Sequence, residues 1–577
     1  MACEENTIYS EEYYDLIIDF NLIENYIFPD CIQSIDARYK VGYYPRAELP
    51  PLSVADYSYA AIPQLFVLTD YQAVEVTNIL FLQNQPVLNL KGEGVLVGFV
   101  DTGIDYTNAV FRREDGGTRI VGIWDQTLMG APNQGNNQGN GEGVEDLRPE
   151  NFLYGTVYFE DQINQALDLE DTQSLVPTMD LNGHGTFLAG VACGGGNPAE
   201  KFIGAAPLAK IAVVKCKEAK NNLKDYYFAP REAICYQEND IMAGVAWLHQ
   251  VAEKMGMPLV VCLGMGTSLG NHTGDSPLSQ YLNNLGLRRG RVLTVSAGNE
   301  ANARHHYQGR FDVGGASVDE VEISVGGNVS GFVLELWALS PDLYQVGVLS
   351  PTGELFEPEG GAGIRRGEHF FLFENTRVSL EYDIPTGGSA NQLVFLRFTT
   401  PLEGLWTIRV TPRQVVSGTY HMWLPPGQLL SGEVFFLRSN PDVTATTPCF
   451  ANSVVSTGAF VAEGSRLYPD SGRGFGADGQ IKPDVAAPGV NVTGPDLYGG
   501  FGTLTGTSVA AAITAGACAQ LLEWGIVKGR YTTLNSVEVR SILTRGARRN
   551  PERSYPNPEW GFGALDVFEA LNQLRTR

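Results

Sequence analysis

The stretch NDIMAGVAWLHQVAEKMGMPLVVCL, residues 239–263, joins a helical pattern to a buried strand. Its apolar residues repeat at the spacing of one helix face: Ile241, Val245, Leu248 and Ala252. Asn239 or Asp240 offers an N-cap for this helix, and Gly256 ends it before the apolar run 258–263. The stretch therefore predicts a helix followed by a strand, the second half of a β-α-β unit.

Short apolar runs of the same kind lie on both sides of this stretch. They cover residues 95–100, 211–214 and 292–296, and helical patterns separate them. Strands that alternate with helices from residue 92 to residue 305 are typical of a parallel sheet with crossover helices. We therefore expect an α/β fold with a mostly parallel sheet and helices on both of its faces.

Residues 316–440 lose the helical periodicity. Short β-rich runs recur there between turn residues: 321–325, 332–337, 378–382, 392–398 and 405–410. Such runs predict an inserted antiparallel β-sandwich that resembles a jelly roll. The α/β pattern resumes in residues 441–577, so we expect the sandwich to interrupt one domain made of residues 61–315 and 441–577.

The composition excludes several classes of protein. The formal net charge of −25 repels phosphate backbones, and no basic stripe is interleaved with aromatic residues, so we expect no nucleic-acid partner. The N-terminus lacks the cationic and apolar segments of a signal peptide, and no run of 18 apolar residues predicts membrane insertion. The eight cysteines are scattered, which favours reduced, buried thiols over a disulfide framework; examples inside apolar runs are Cys193, Cys262 and Cys518.

Two segments carry an acid and a base in positions suited to catalysis. The first is an apolar strand that ends in Asp101 and continues as Thr-Gly. An acid at the carboxyl end of a parallel strand lies where such sheets build sites, although Asp-Thr-Gly also occurs in aspartic proteases and in ordinary turns. The second places His184 between two glycines at the start of an apolar helix. The glycines leave the imidazole clear of neighbouring side chains, although a histidine there could also simply cap the helix.

A third segment, Gly-Thr-Ser at 506–508, opens a helix that is apolar on nearly every face and must be buried. Ser508 would lie at the positive end of the helix dipole and could offer its own N–H to an oxyanion, although serine is also a common N-cap. Asn299 ends another buried strand with an amide that could donate to the same oxyanion. The order acid, base, nucleophile predicts a catalytic triad of Asp101, His184 and Ser508.

These segments resemble the Asp, His, oxyanion-Asn and Ser motifs of the subtilisin-like serine proteases. The segments IKPDVAAPG at 481–489 and WGFGALD at 560–566 support the resemblance. It implies a serine endopeptidase that cleaves protein or peptide substrates through an acyl-enzyme. It also implies two walls of a primary specificity pocket, where small residues would leave room for a sizeable apolar side chain: Gly264, Met265, Gly266, Ser296, Ala297 and Gly298.

Three positions depart from the usual motifs of this family. Ala512 stands where the family usually has a proline, and Phe187 replaces a frequent second histidine; neither change removes a group that the mechanism needs. Val110 stands where many relatives carry a calcium-binding acid. We therefore expect no metal site and no cofactor, and Val110 does not support a calcium requirement.

The long separation of His184 and Ser508 is explained by the inserted sandwich, and this architecture is similar to clostridial germination proteases of the Csp type. Those relatives act in spores on the precursor of a cell-wall hydrolase. The similarity implies activation of a spore cortex hydrolase precursor and, without a signal peptide, a cytoplasmic or spore-associated location. Residues 1–60 would be a small α+β prodomain that assists folding, blocks the cleft and is removed by self-cleavage near residues 57–63. The sandwich would act as a rigid clamp on the catalytic domain.

Two other functions remain open at this point. Some Csp-type relatives have lost catalytic residues, so the chain could be a pseudoprotease that binds a signal or a partner. Alternatively, the sandwich could be a binding module, with proteolysis serving only to mature it. A clustered aromatic face on the sandwich would favour this second alternative.

Overall fold

The computed structural model describes residues 5–22, 28–68, 77–86, 88–129, 148–312, 317–358, 366–383 and 390–574. Within these ranges the chain forms one large, mostly parallel sheet with helices on both faces, and two antiparallel sheets that share a separate core. The α/β class predicted from the sequence is confirmed.

The first described residues form a small sheet and one separate strand. The sheet is antiparallel with the order β1-β3-β2, and its apolar face packs on the helices of the large sheet. Cys31 in this sheet is disulfide-bonded, so the expectation of reduced thiols is wrong at this position. The other described cysteines are free and buried: Cys193, Cys216, Cys235, Cys262, Cys449 and Cys518. The elements are α1 (Glu5–Tyr9), β1 (Tyr13–Asp19), β2 (Cys31–Ser34), β3 (Tyr39–Pro45) and β4 (Leu65–Leu68).

The next segment contributes most of the large sheet. Its elements are α2 (Ile79–Asn84), β5 (Leu96–Asp101), β6 (Ile120–Asp125), β7 (Thr156–Phe159), α3 (Glu160–Leu167), α4 (His184–Cys193), β8 (Lys210–Lys215), α5 (Asn221–Tyr227), β9 (Tyr236–Gln237), α6 (Glu238–Met255), β10 (Leu259–Leu263), β11 (Met265–Gly266), α7 (Pro277–Gly286) and β12 (Arg291–Ser296).

The predicted helix and strand of residues 239–263 are α6 and β10. Gly256 ends α6 in the left-handed conformation, with φ 62°. The N-cap residue is Gln237, so neither Asn239 nor Asp240 caps the helix. Asp240 instead lies in the first turn of α6, where its carboxylate is 2.6 Å from Lys217 Nζ and accepts a hydrogen bond from the Tyr154 hydroxyl at 2.9 Å.

Eleven strands follow in the region where the sandwich was predicted. They form a six-stranded sheet, β13-β22-β15-β20-β19-β18, and a five-stranded sheet, β17-β16-β21-β14-β23, and side chains of both sheets share one apolar core. The strands are β13 (His306–Arg310), β14 (Asp319–Val325), β15 (Gly331–Ala338), β16 (Leu343–Leu349), β17 (Leu355–Phe356), β18 (Arg366–Phe371), β19 (Thr376–Asp383), β20 (Gln392–Thr399), β21 (Gly404–Gln414), β22 (Thr419–Trp423) and β23 (Val434–Phe436).

The last segment completes the large sheet, whose order is β25-β24-β12-β10-β5-β8-β6-β7 with β26 also paired to β24. Among the described residues, one helical stretch, Thr507–Val527, is long and apolar enough to cross a membrane. Within it, 89% of an apolar segment of 18 residues is buried inside the protein. The elements are β24 (Val455–Val461), β25 (Arg466–Leu467), β26 (Val485–Val490), β27 (Val492–Pro495), β28 (Phe501–Leu504), α8 (Thr507–Leu522), α9 (Ser536–Gly546) and α10 (Val567–Asn572).

Three buried histidines stack around Trp423 where the six-stranded sheet meets the rest of the chain. The ring centroids of His272, His306 and His421 lie 4.0, 5.0 and 5.2 Å from that of Trp423. Burial lowers the pKa of His272 to about 4 and that of His421 to about 3, and burial followed by the charge of His421 lowers the pKa of His306.

Acidification below about pH 6.5 is therefore expected to destabilise the fold. Unfolded histidines take up protons near that pH, whereas the buried rings stay neutral to a much lower pH. Their contribution to stability is present above about pH 6.5 and is lost as the pH falls, by about 1.4 kcal/mol per pH unit for each ring. Urea unfolding at a series of pH values measures the slope. His421→Asn should reduce the slope of the unfolding free energy against pH by about 1.4 kcal/mol per pH unit. An unchanged slope would contradict the lowered pKa of His421.

Candidate active site

The three residues predicted as a triad lie together at the carboxyl ends of parallel strands. Asp101 ends β5, His184 is the first residue of α4, and Ser508 lies in the first turn of α8. His184 Nδ1 is 2.7 Å from Asp101 Oδ1, and His184 Nε2 is 3.2 Å from Ser508 Oγ. Because a carboxylate only accepts hydrogen bonds, Nδ1 carries the proton and Nε2 is left to accept one from the serine. All three side chains are buried.

The glycines of the first two motifs allow a close backbone contact. A Cβ at Gly185 would overlap the carbonyl oxygen of Gly103, so α4 can approach the loop after β5 only with glycine there. The Gly185 N–H also donates to Thr102 Oγ1 at 2.9 Å. This contact sets the position of the first turn of α4 relative to the end of β5, and with it the distance from His184 to Asp101.

Asp180 fixes the loop before His184, a role that the sequence analysis missed. Its Oδ1 accepts the N–H groups of Asn182 and Gly183 at 3.0 and 2.9 Å, and its Oδ2 accepts the N–H and hydroxyl of Thr186 at 2.9 and 2.7 Å. A carboxylate at the N-terminus of a helix satisfies its unpaired N–H groups. An acid two to four residues before a helix is the sequence signal that could have identified it.

Asn299 contacts the residue next to Ser508. Its Oδ1 accepts hydrogen bonds from the N–H and the hydroxyl of Thr507, both at 3.2 Å. The side-chain oxygen of Asn299 therefore faces the start of α8. Because the amide group is planar, these two hydrogen bonds also fix the direction of its Nδ2 group.

The six residues predicted as pocket walls form two segments: one is β11 with the residue before it, and the other is the last residue of β12 with the two residues that follow it. A Cβ at Gly264 would lie 3.1 Å from both His184 Cε1 and Ser508 Cβ, so this wall begins beside the triad. A Cβ at either Gly266 or Gly298 would overlap the side chain of Thr446. Thr446 therefore packs against both segments, and room for a sizeable apolar side chain between them stays a prediction.

Strand β4 lies in a three-stranded antiparallel sheet between β11 and β9. It runs toward Gly264, and so toward Ser508. The segment 57–63, where cleavage was expected, does not form this strand: Tyr59–Ala61 is a 3-10 turn, and residues 69–76 lie outside the described residues. The strand pairs are Leu68 with Met265, Val67 with Gly266, Phe66 with Tyr236, and Leu65 with Gln237.

Glu238 extends this pairing beyond the strand. Its N–H donates to the carbonyl of Gln64 at 3.0 Å, and its Oε2 accepts the Gln64 N–H at 3.4 Å. Its Oε1 accepts the Leu278 N–H of α7 at 3.0 Å. Burial raises the pKa of Glu238 to about 7, although these N–H donors oppose the shift. The sequence around Glu238 gives no signal for this role, because a glutamate at a helix start is common.

The residues at Val110 do not fit a calcium ion. The valine side chain offers no ligand, and its carbonyl oxygen already accepts hydrogen bonds from the Gly195 N–H at 2.7 Å and from Arg119 Nη2 at 2.6 Å. A guanidinium cation at this oxygen opposes a second cation. In the part of the chain that the structure describes, no group of three or more His, Cys, Asp or Glu side chains could hold a metal ion.

Comparisons with known proteins identify a family and several similar proteins. A sequence model of the Subtilase family, Peptidase S8, matches residues 92–347 and 432–563. The structure of the Clostridium perfringens CspB protease is similar, with a TM-score of 0.73 and 30% identity over 86% of this chain and 98% of that chain. Mouse membrane-bound transcription factor site-1 protease is 37% identical over 99 residues, 17% of this chain and 9% of that protein. C5a peptidase of Streptococcus pyogenes is 32% identical over 158 residues, 26% of this chain and 13% of that protein. The chain thus spans only a small part of the length of these curated relatives.

Proposed function

The chain belongs to the Subtilase family of serine endopeptidases, and from this premise we propose that it hydrolyses peptide bonds with Asp101, His184 and Ser508 as its catalytic residues. The observation that carries the proposal is the hydrogen-bonded series from carboxylate to imidazole to hydroxyl, at 2.7 and 3.2 Å. Nucleophile, base and orienting group in contact are the arrangement that acyl transfer requires.

Ser508 Oγ attacks the carbonyl carbon of the scissile bond while its proton passes to His184 Nε2. The proton then moves to the leaving nitrogen as the C–N bond breaks, which leaves an acyl-enzyme. Water repeats the sequence: it loses a proton to Nε2, attacks the acyl carbon, and the proton returns to Ser508 Oγ as the acid product leaves. Asp101 stabilises the charged imidazole that forms in both halves.

Asn299 and the Ser508 N–H are proposed to bind the oxyanion. Because Asn299 Oδ1 accepts from Thr507, the Nδ2 group is the end of the amide that can donate to a substrate oxygen. The Ser508 N–H belongs to the first turn of α8, whose N–H groups point out of the helix and carry its positive end. Donors held in place before the reaction stabilise the charge as it develops.

We further propose that the N-terminal residues inhibit the enzyme and that the chain removes them itself. Strand β4 pairs on both edges and runs toward Ser508, as an extended substrate would. The cleaved bond would therefore follow Leu68, within residues 69–76. Buried contacts such as Asp15 with Lys220 favour continued binding of the released segment.

The intact mass of purified protein tests both proposals. Wild type should split into an N-terminal fragment that ends between residues 68 and 76 and a large remainder, and Ser508→Ala should stay whole. Ser536→Ala, which removes a buried serine from the first turn of α9, should split like wild type. A fluorophosphonate probe should label wild type and not Ser508→Ala. If wild type stays whole and unlabelled, the chain is a pseudoprotease.

The biological substrate is proposed to be a precursor protein, such as the precursor of a spore cortex hydrolase, and the location cytoplasmic or spore-associated. The support is the similarity to the CspB protease, which covers 86% of this chain and so includes part of the two antiparallel sheets. Incubation of the purified precursor with the enzyme, followed by mass spectrometry, checks the proposal, and an uncut precursor would contradict it.

A binding role for the two antiparallel sheets has weaker support. The turn between β18 and β19 exposes Leu372 and Phe373, at 70% and 83% of their surfaces. Two neighbouring side chains at one turn do not make the clustered aromatic face that would favour this function.

A further inference from the structure

Arg119, the residue just before β6, is a buried cation. Only 5% of its surface is exposed, and no carboxylate among the described residues lies within ion-pair distance of its guanidinium group. Burial lowers the pKa of Arg119, and the buried thiol of Cys193 opposes that shift. A buried charge is costly unless protein groups replace the water that it loses. Neutral oxygen atoms must therefore hold this guanidinium group.

Two backbone carbonyl oxygens do so. Arg119 Nη1 donates to the carbonyl oxygen of Ala209 at 2.9 Å, and Nη2 donates to that of Val110 at 2.6 Å. The Val110 oxygen also accepts the N–H of Gly195 at 2.7 Å, from the loop that follows α4. The guanidinium group thus joins separate segments through oxygen atoms that carry no formal charge, as a bound metal ion does.

The joined segments include those that follow two of the proposed triad residues. Val110 lies in the segment after Asp101, and Gly195 lies in the loop after α4, the helix that begins at His184. A Cβ at Gly195 would lie 3.2 Å from the Val110 carbonyl oxygen and 3.9 Å from Arg119 Nη2, so the cation lies beside the end of α4. The C-terminal end of a helix carries partial negative charge, which favours a cation there.

Val110 stands where many subtilisin-like proteases carry a calcium-binding acid. A calcium ion at this place would meet a guanidinium cation and an N–H donor, both directed at the Val110 oxygen. We propose that Arg119 is an internal structural cation, which joins these segments in the way that calcium would and makes the folding of this region independent of calcium.

Hydrogen exchange with and without calcium tests the proposal on the full chain that carries Ser508→Ala, in which the N-terminal residues stay attached. Mass spectrometry of peptides that cover 108–112 and 194–198 reports the opening of these two segments separately from the rest of the fold. An ion that binds the folded segments would slow their exchange. We expect the rates in millimolar CaCl2 and in EDTA to agree to within about twofold.

Arg119→Met in the same chain keeps an unbranched side chain and removes the cation. Two hydrogen bonds from a charged donor are lost, so exchange in both peptides should accelerate by at least about tenfold. Arg113→Met is the matched control, because Arg113 lies nearby in the sequence and forms exposed ion pairs with Asp115 and Glu160. It should leave exchange in both peptides within about twofold of the parent chain.

Two outcomes overturn the inference. Slower exchange of these peptides in CaCl2 than in EDTA, in the parent chain, shows that calcium binds there. Exchange in Arg119→Met that is as slow as in the parent chain shows that the guanidinium group does not hold the segments. If Arg119→Met does not fold, the calcium comparison still decides. Neither measurement needs proteolytic activity, so this inference and the proposed function can fail separately.

Discussion

Asp101→Asn is expected to lower kcat about 10⁴-fold with little change in KM. Asp101 Oδ1 accepts hydrogen bonds from both His184 Nδ1, at 2.7 Å, and the Thr102 N–H, at 2.8 Å. In Asp101→Asn, an amide oxygen at the Oδ1 position still accepts both hydrogen bonds but lacks the negative charge that stabilises the protonated imidazole, whereas an NH₂ group at that position faces both donors. If NH₂ faces the imidazole, Nδ1 must accept and Nε2 must carry the proton, so Nε2 can no longer take the proton of Ser508. Steady-state kinetics on a peptide substrate measures the loss.

Asp105→Asn is the matched control for this change. Asp105 lies in the same loop, where its carboxylate accepts hydrogen bonds from the Thr107 hydroxyl and the Tyr498 N–H. It should retain kcat to within about tenfold. The rate of fluorophosphonate labelling should follow kcat in both variants. An Asp101→Asn enzyme that keeps kcat within tenfold of wild type would rule out the assigned role of Asp101.

Asp15→Ala is expected to lower the free energy of unfolding by about 3–5 kcal/mol. Asp15 in β1 lies 2.5 Å from Lys220 Nζ, and both side chains are buried. Burial is the main cause of the lowered pKa of Lys220, and Asp15 opposes that shift. Without Asp15 the ammonium group stays buried with no carboxylate in contact. Urea unfolding should be measured in the Ser508→Ala background, so that the N-terminal residues remain attached.

The double variant Asp15→Ala/Lys220→Met isolates the cost of the unpaired charge. Removing both ions should recover most of the loss, because a buried pair contributes little more than apolar residues of similar size. Asp225→Ala breaks an exposed pair with Arg231 and should cost less than about 1 kcal/mol. Equal losses in the single and double variants would show that Asp15 acts through packing rather than through Lys220.

Local patterns were sufficient for the fold class and for the elements that carry the proposed triad residues. The helical spacing in residues 239–263 predicts α6 and β10, and the motifs around Asp101, His184 and Ser508 each lie where an element begins or ends. Such positions can be identified from one sequence, because periodicity and helix termini depend on neighbouring residues.

Other features failed or were missed because they depend on distant contacts. The N-cap of α6 was misplaced, because Asp240 pairs with Lys217 from the segment after β8 and the helix begins earlier. The packing of Thr446 against Gly266 and Gly298 was missed, because glycines in these two segments say nothing about a threonine from another segment.

The sequence by itself determined which elements form and which residues can do chemistry, because both follow from side-chain type and local spacing. Only the tertiary structure decided which segments lie in the cleft and against Gly266 and Gly298. Strand β4 and Thr446 reach the site from parts of the chain whose own sequences carry no catalytic signal. Their positions follow from strand pairing and core packing over long separations, which no local pattern encodes.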